Sequence, residues 1–347
     1  MQHEITAPRK LLNSAGDIAE PGFAKKLFWE YSRNDIKAPR WRIKEWDYYY
    51  IGCQDYGLCL TISDSGYVSN LSVTLLGFAD EPFQMNDSEI GAFPLGKMGM
   101  PSTSVKGDVS AKLGRMEMSF LNDGTTRHLT GTVDSFVKSG KPLRFDVTLT
   151  EIPEESMVIA TPFDKPKHFY YNQKINCMRA EGVCFFDGKE YVFSRENGSL
   201  ATLDWGRGVW TYSNTWYWGS GQTVLPDGGV FGFNIGYGFG NTSAASENML
   251  FYNGKSHKLA DVEFHIPQNS KGEYDYLAPW RFTSSDGRFE MSFTPVLDRQ
   301  APVNLGVICM LPHQVFGKMS GKAVLDDGKV IELKDTMVFA ERVHNQW

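Results

Sequence analysis

Long apolar runs are missing from this 347-residue chain. Without a stretch of about 18 or more apolar residues, no membrane-spanning helix is expected. The opening residues Met1 to Lys10 hold no apolar segment of signal-peptide length. A cytoplasmic protein is therefore expected. Cysteine is scarce: the 5 residues Cys53, Cys59, Cys177, Cys184 and Cys309 are odd in number and lack metal-ligand spacing. They read as reduced, mostly buried thiols rather than a disulfide scaffold. Positive charge is not in excess, since 35 Lys+Arg face 41 Asp+Glu for a net charge of −6. This leaves no basic footprint for a nucleic-acid partner. Phosphate-loop, His-Glu-x-x-His and Gly-x-Ser-x-Gly patterns are all absent. The 7 histidines also lack metal-ligand spacing. Neither a metal nor a cofactor is therefore expected.

What is present argues for a large core. Hydrophobic residues make up 41% and charged residues 22%. Aromatic residues reach 14%, with 9 Trp, 15 Tyr and 23 Phe, an excess that suits big cores or ligand walls. At about 150 residues per domain the length suggests two domains. One N-terminal helix is predicted, opened by Glu20-Pro21 and carrying Phe23, Leu27 and Tyr31 at four-residue spacing. After Pro39 the pattern changes to short alternating segments. Asp-Gly or Asn-Gly pairs at 123, 187, 227, 253, 286 and 327 punctuate them. Such pairs accept the positive φ of tight hairpins, so the chain reads as antiparallel all-β. An internal repeat adds to this. Glu181 to Phe193 resembles Ser320 to Leu333 around two Asp-Gly-Lys turns, and Trp46-Asp-Tyr-Tyr-Tyr50 is echoed by Trp216-Tyr-Trp218. The expected organisation is an N-terminal segment with a helix (1–39) and two related β units, 40–205 and 206–347. Each unit is suited to closing into a ligand-holding barrel.

The densest chemistry lies in Leu203 to Trp218, which includes Asp204, Arg207, Trp205, Trp210, Trp216 and Trp218. It reads either as a ligand site walled by indoles, with Asp204 and Arg207 as polar handles, or as a core strand with an Asp204–Arg207 ion pair. In Val230 to Gly240 the aromatic and aliphatic residues, Tyr237 included, share one strand face, while glycines and Asn234 share the other. That glycine face implies a close neighbour: a ligand, a backbone or a bulky side chain. Glu247 reads as an acid or base, as a rim charge, or with Asn248 as part of a structural network. At the C-terminus Glu341 and His344 are acid/base candidates. By the repeat Glu341 stands where Asp204 stands, so two carboxylates are presented by related units. Trp46 lies in a charged and aromatic segment suited to a seam between the units or to a ligand.

These segments (Trp41 to Tyr50, Asp204 to Trp210, Trp216 to Trp218, Phe233 to Gly238, Glu247-Asn248 and Ala340 to Trp347) together resemble the domain of unknown function 2804 family. Asp204-Trp-Gly-Arg is also distantly similar to the Asp-His-x-Trp-Gly signature of the hydroxyneurosporene synthase and carotenoid hydratase-like proteins. That likeness implies two tandem lipocalin-like barrels. It matches cleanly at Asp204 and Gly206, with Trp205 in place of the histidine. The leading expectation is a cofactor-independent hydratase, isomerase or cyclase acting on an apolar or conjugated small molecule. Asp204 would be its proton donor or orient Arg207, and Glu341 or His344 the second acid/base. The tryptophans would face a developing cation. Substitution of Asp204 by Asn should then abolish turnover and leave Tm nearly unchanged. A non-catalytic lipid or pigment carrier and a carbohydrate-active enzyme are the alternatives.

Overall fold

Buried and exposed positions alternate in outer strands such as Met116–Asn122 and Leu143–Thr150, whereas Ile43–Gly52 and Leu200–Val209 are buried on both faces. The computed structural model describes residues 2–304 and 309–346. Among them lie two large sheets, one of 13 strands and one of 10, and the helical content is confined to three short 3-10 turns. The order across the first sheet is Phe83–Ala92, Val68–Gly77, Tyr56–Asp64, Ile43–Gly52, Leu200–Val209, Phe169–Phe186, Leu143–Thr150, Arg127–Val133, Met116–Asn122 and Val109–Leu113. The second follows the same plan: Lys255–Lys258, Met249–Tyr252, Val230–Tyr237, Ser213–Val224, Val330–Gln346, Cys309–Val324, Phe289–Arg299, Trp280–Ser284 and Val262–His265. In both, the opening strand of the unit pairs with its closing strand. Each sheet curls on itself, as lipocalin-like barrels do, so the edge strands Phe83–Ala92 and Val109–Leu113 come together.

The sequence repeat maps onto this plan. The Asp187-Gly188 and Asp327-Gly328 turns follow the corresponding strands Phe169–Phe186 and Cys309–Val324. Gly182 and Gly321 adopt nearly the same backbone, with φ of 145° and 146°, and a Cβ on either would strike the neighbouring strand. Only glycine fits there.

Three apolar clusters form among the described residues. One fills the first barrel, with Leu60, Val73, Leu129, Phe145 and Trp205. Another fills the second, with Phe233, Phe264, Phe282 and Phe293. The third, with Tyr48, Tyr170, Trp210, Trp218, Phe239 and Phe339, lies in the seam where the outer faces of the two sheets meet.

The expected N-terminal helix does not form. Gly22–Ala24 is instead a strand paired with Met157–Pro162, Trp29–Glu30 is a second short strand, and a 3-10 turn spans Arg33–Asp35. Phe23 and Tyr31 are buried as the helical reading required, but in separate clusters. Gln2 and His3 reach the second unit, where His3 N–H donates to the Ala244 carbonyl at 2.8 Å.

Candidate active site

Side chains of a strand alternate between faces, so even-numbered residues of Leu200–Val209 point into the seam and odd-numbered ones into the first barrel. Asp204 therefore enters the seam. It stands in register between Tyr48 and Lys174 of the flanking strands. Lys174 Nζ lies 2.7 Å from Asp204 Oδ2, and Asn172 Nδ2 donates to Oδ1 at 2.6 Å. The ammonium also sits 3.9 Å from the centre of the Trp218 ring, a cation–π contact that crosses from one sheet to the other.

The second sheet repeats the motif. Glu341 stands in register between Trp218 and Gln314, as Asp204 stands between Tyr48 and Lys174. Gln314 Nε2 donates to Glu341 Oε2 at 3.0 Å, and Trp216 Nε1 donates to Oε1 at 2.9 Å. The two related units thus bring equivalent carboxylates into one seam. Burial pushes the Glu341 carboxyl up to about 7; the Trp216 hydrogen bond and Lys174 hold it down, and Asp204 adds to the rise.

Glu247 completes the group. Tyr170 Oη donates to its Oε2 at 3.3 Å, while Oε1 is buried without a hydrogen-bond partner among the described residues. Burial raises this carboxyl to about 7; Lys174 counteracts and Asp204 reinforces the shift. Gly236 makes room for it, because a Cβ there would come 2.5 Å from Glu247 Oε1. Asn234 orders the same corner, accepting from Trp218 Nε1 at 2.7 Å and donating to the Glu247 carbonyl at 3.0 Å. Rings wall the seam. Tyr170 stacks on Phe239 at 4.8 Å, and Trp210 lies 5.2 Å from Trp216 and 5.9 Å from Trp46.

Asp204, Glu341, Glu247, Asn234, Trp46, Trp210, Trp216 and Trp218 thus come together as site candidates. The others do not. Arg207 is three residues from Asp204 and so points into the first barrel. There it bonds Asp47 Oδ1 at 3.0 Å and lies 4.1 Å from the Trp205 ring centre. No Asp204–Arg207 ion pair exists, and Trp205 is core packing against Tyr171. His344 lies on the opposite face of its strand from Glu341, bonded to Thr215 at 2.7 Å. Tyr237 belongs to the second barrel, stacked at 4.5 Å on Tyr217. Asn248 sits behind the site, accepting from Gly236 N–H at 2.8 Å and donating to the Ala260 carbonyl at 3.0 Å. The glycine face of Val230–Tyr237 lines the seam rather than a barrel lumen. Gly232 accommodates Cys177 Sγ as Gly236 accommodates Glu247.

Sequence reasoning missed Lys174, Asn172, Tyr170 and Gln314. The signal for three of them was the alternation Tyr170, Asn172, Lys174, which puts a hydroxyl, an amide and an ammonium group on one face of the strand. All five cysteines are free thiols. Among the described residues no helix is long and apolar enough to cross a membrane. Nor do three or more His, Cys, Asp or Glu gather there as a metal site.

Comparison with solved structures places this fold among known ones. A candidate AttH from Nitrosomonas europaea superimposes with a TM-score of 0.52 at 11% identity, covering 90% of this chain and 93% of that one. Kievitone hydratase from Nectria haematococca aligns with a TM-score of 0.45 at 12% identity, over 88% of each chain. CghA with Sch210972 aligns with a TM-score of 0.48 at 10% identity, over 97% of this chain and 96% of that one. No curated protein matches the sequence significantly. The profile described as domain of unknown function (DUF2804) matches residues 2–347, and the chain belongs to that family.

Proposed function

We propose that the seam is the active site of a cofactor-independent hydratase, isomerase or cyclase that acts by general-acid catalysis on an apolar or conjugated small molecule. The observation that carries this is Glu247: a buried carboxyl raised to about 7, with one oxygen, Oε1, that has no hydrogen-bond partner among the described residues. An acid whose pKa lies near the working pH is the most effective proton donor. In this reading the proton passes from Glu247 Oε1 to a carbon of a double bond and leaves a carbocation. Ring faces of Tyr170, Phe239, Trp216 and Trp218 stabilise that cation, and the Asp204 charge supports it. Water addition with proton loss gives hydration, loss of a different proton gives isomerisation, and attack by a second double bond gives cyclisation. In each case the proton finally released restores Glu247 or passes to Glu341. The donor role expected for Asp204 thus moves to Glu247, because Lys174 and Asn172 already occupy Asp204.

Burial of Asp204, Glu247 and Glu341 favours this over a carbohydrate-active enzyme, which needs an open groove. The test is a screen of terpenoid alkenes, polyenes and enones in D2O, read as gain of water or as deuterium on carbon. Glu247→Gln should lower turnover about 100-fold or more with Tm preserved. Unchanged turnover in a folded Glu247→Gln protein overturns the assignment. A copurifying lipid or pigment with no turnover in the native protein would favour the carrier.

A further inference from the structure

Three strands of the first sheet end on one rung, where Phe169 stands opposite Val209 and Val209 opposite Ile43. The segments that leave this rung, 163–168, 210–212 and 40–42, therefore emerge at a single edge of the molecule. Arg42 ties two of them together, donating to the Trp210 carbonyl at 2.5 Å. Burial lowers the His168 pKa, and Lys165 and Arg42 add to the effect, so both cations stand near that ring. A fourth segment joins through the turn at 65–67. Gly66 packs against the Trp41 backbone, and its carbonyl accepts from Leu95 N–H at 3.1 Å. The Tyr67 carbonyl accepts from Phe93 N–H at 2.9 Å.

This edge leaves large rings in water. Trp41 is 48% exposed, Tyr212 50% and Phe93 65%. A single exposed aromatic is ordinary, but three on adjoining loops make a patch. Phe93 also holds a φ of 49°, a left-handed backbone that a bulky residue rarely adopts. Burial of its ring does not offset that strain, so the backbone spends energy to keep an apolar group outside. Cations surround the rings. Segments 37–42, 93–97, 163–168 and 210–212 carry six basic residues and one acid, Asp164, in a chain whose net charge is −6. Asp17 adds a second carboxylate, accepting from Lys167 N–H at 2.6 Å. Several exposed lysines elsewhere are neutralised: Lys112 by Glu117, Lys141 by Asp187 and Lys255 by Glu154. Arg40, Lys165 and Lys167 are exposed and have no such ion pair among the described residues.

A partner for this edge must offer apolar depth and negative charge together. An anionic bilayer does: its interface takes Trp, Tyr and Phe rings, and its headgroups take Lys and Arg. We propose that this edge docks the protein reversibly on an anionic membrane surface, with Trp41, Phe93 and Tyr212 entering the interface and Arg40, Lys165 and Lys167 facing the headgroups. Docking of this kind needs no spanning segment. It does not rest on the catalytic reading of the seam. The test is co-sedimentation of the full chain with vesicles of POPC alone and of POPC with about 30% POPG. The anionic vesicles should bind about tenfold more tightly or better, and binding should fall away as salt rises from about 50 to 500 mM. Lys165→Ala with Lys167→Ala should weaken binding about 20-fold, at roughly fivefold per charge. Trp41→Ala should weaken it about tenfold and keep the salt dependence. Brominated lipid should quench the native tryptophan emission, and Trp41→Phe should remove most of that quenching, because no other tryptophan is exposed among the described residues. No binding, equal binding to the two vesicles, native affinity in the double lysine variant or native quenching in Trp41→Phe overturns the proposal. Self-association that Trp41→Ala abolishes, in place of vesicle binding, assigns the edge to a second copy and also refutes it. If a variant fails to fold, the vesicle preference and salt dependence of the native protein still decide.

Discussion

Lys174 and Asp204 face each other across one rung of the first sheet, 2.7 Å apart and both out of water. Their separation of 30 residues in the chain is closed only by the pairing of two long strands. Removing one partner leaves the other as an uncompensated buried charge, and that sets the first expectation. Asp204→Asn should cost about 3–5 kcal/mol in urea unfolding. This reverses the outcome expected from sequence, in which Tm hardly moves. Adding Lys174→Met to Asp204→Asn should recover most of the loss. A double variant as unstable as the single one would show that the pair is not the cause.

Stability should fall as pH rises through neutrality. Glu247 and Glu341 are both raised from 4.5 to about 7 by burial. A carboxyl whose pKa is higher in the folded than in the unfolded state contributes stability that is complete below about 4.5 and lost as pH climbs through about 7. The loss is of the order of 3 kcal/mol per group for a shift of this size. Glu247→Gln and Glu341→Gln should each flatten the dependence of Tm on pH between about 5 and 8. An unchanged slope in both would place the titrating groups elsewhere.

Trp216→Phe should move one arm of that profile. Its indole N–H donates to Glu341 Oε1 at 2.9 Å and holds the carboxyl down. Without that bond the Glu341 pKa rises, so the fall in stability assigned to Glu341 shifts to higher pH. Measuring Tm against pH in a Glu247→Gln background isolates the effect, and a shift to lower pH contradicts it.

Gly206→Ala tests the packing of the seam. A Cβ at Gly206 would collide with the six-membered ring of Trp46. Overpacking of this kind costs about 1–3 kcal/mol. A smaller side chain at the partner position removes the collision, so Gly206→Ala should cost far less in a Trp46→Leu background. Equal costs in the two backgrounds would mean that the alanine strains the backbone instead.

Much of this was legible in the sequence, for identifiable reasons. Alternation and Asp-Gly turns are local signals, and they announced the antiparallel sheets. The repeat related Glu341 to Asp204; in register Asp204 stands opposite Tyr48 and Glu341 opposite Trp218. The N-terminal helix failed because Gly22–Ala24 gains a partner strand more than 130 residues away. Non-local pairing of this kind overrides local spacing. Lys174 was hidden for a similar reason, because its partner and its aromatic platform both come from other strands. The separation of Asp204 from Arg207 needed no structure. An odd spacing on a strand puts two side chains on opposite faces.

That alternation has a consequence for how such a chain can change. In Leu200–Val209, Leu203, Trp205 and Arg207 answer to the first barrel's interior, while Thr202, Asp204 and Gly206 answer to the seam. The same holds in Val330–Gln346, where Ala340 packs inward and Glu341 faces the seam. The lining of the seam and the packing of the barrel are thereby written on interleaved letters of one strand. Family members that diverge in chemistry should differ at every second position and stay alike in between.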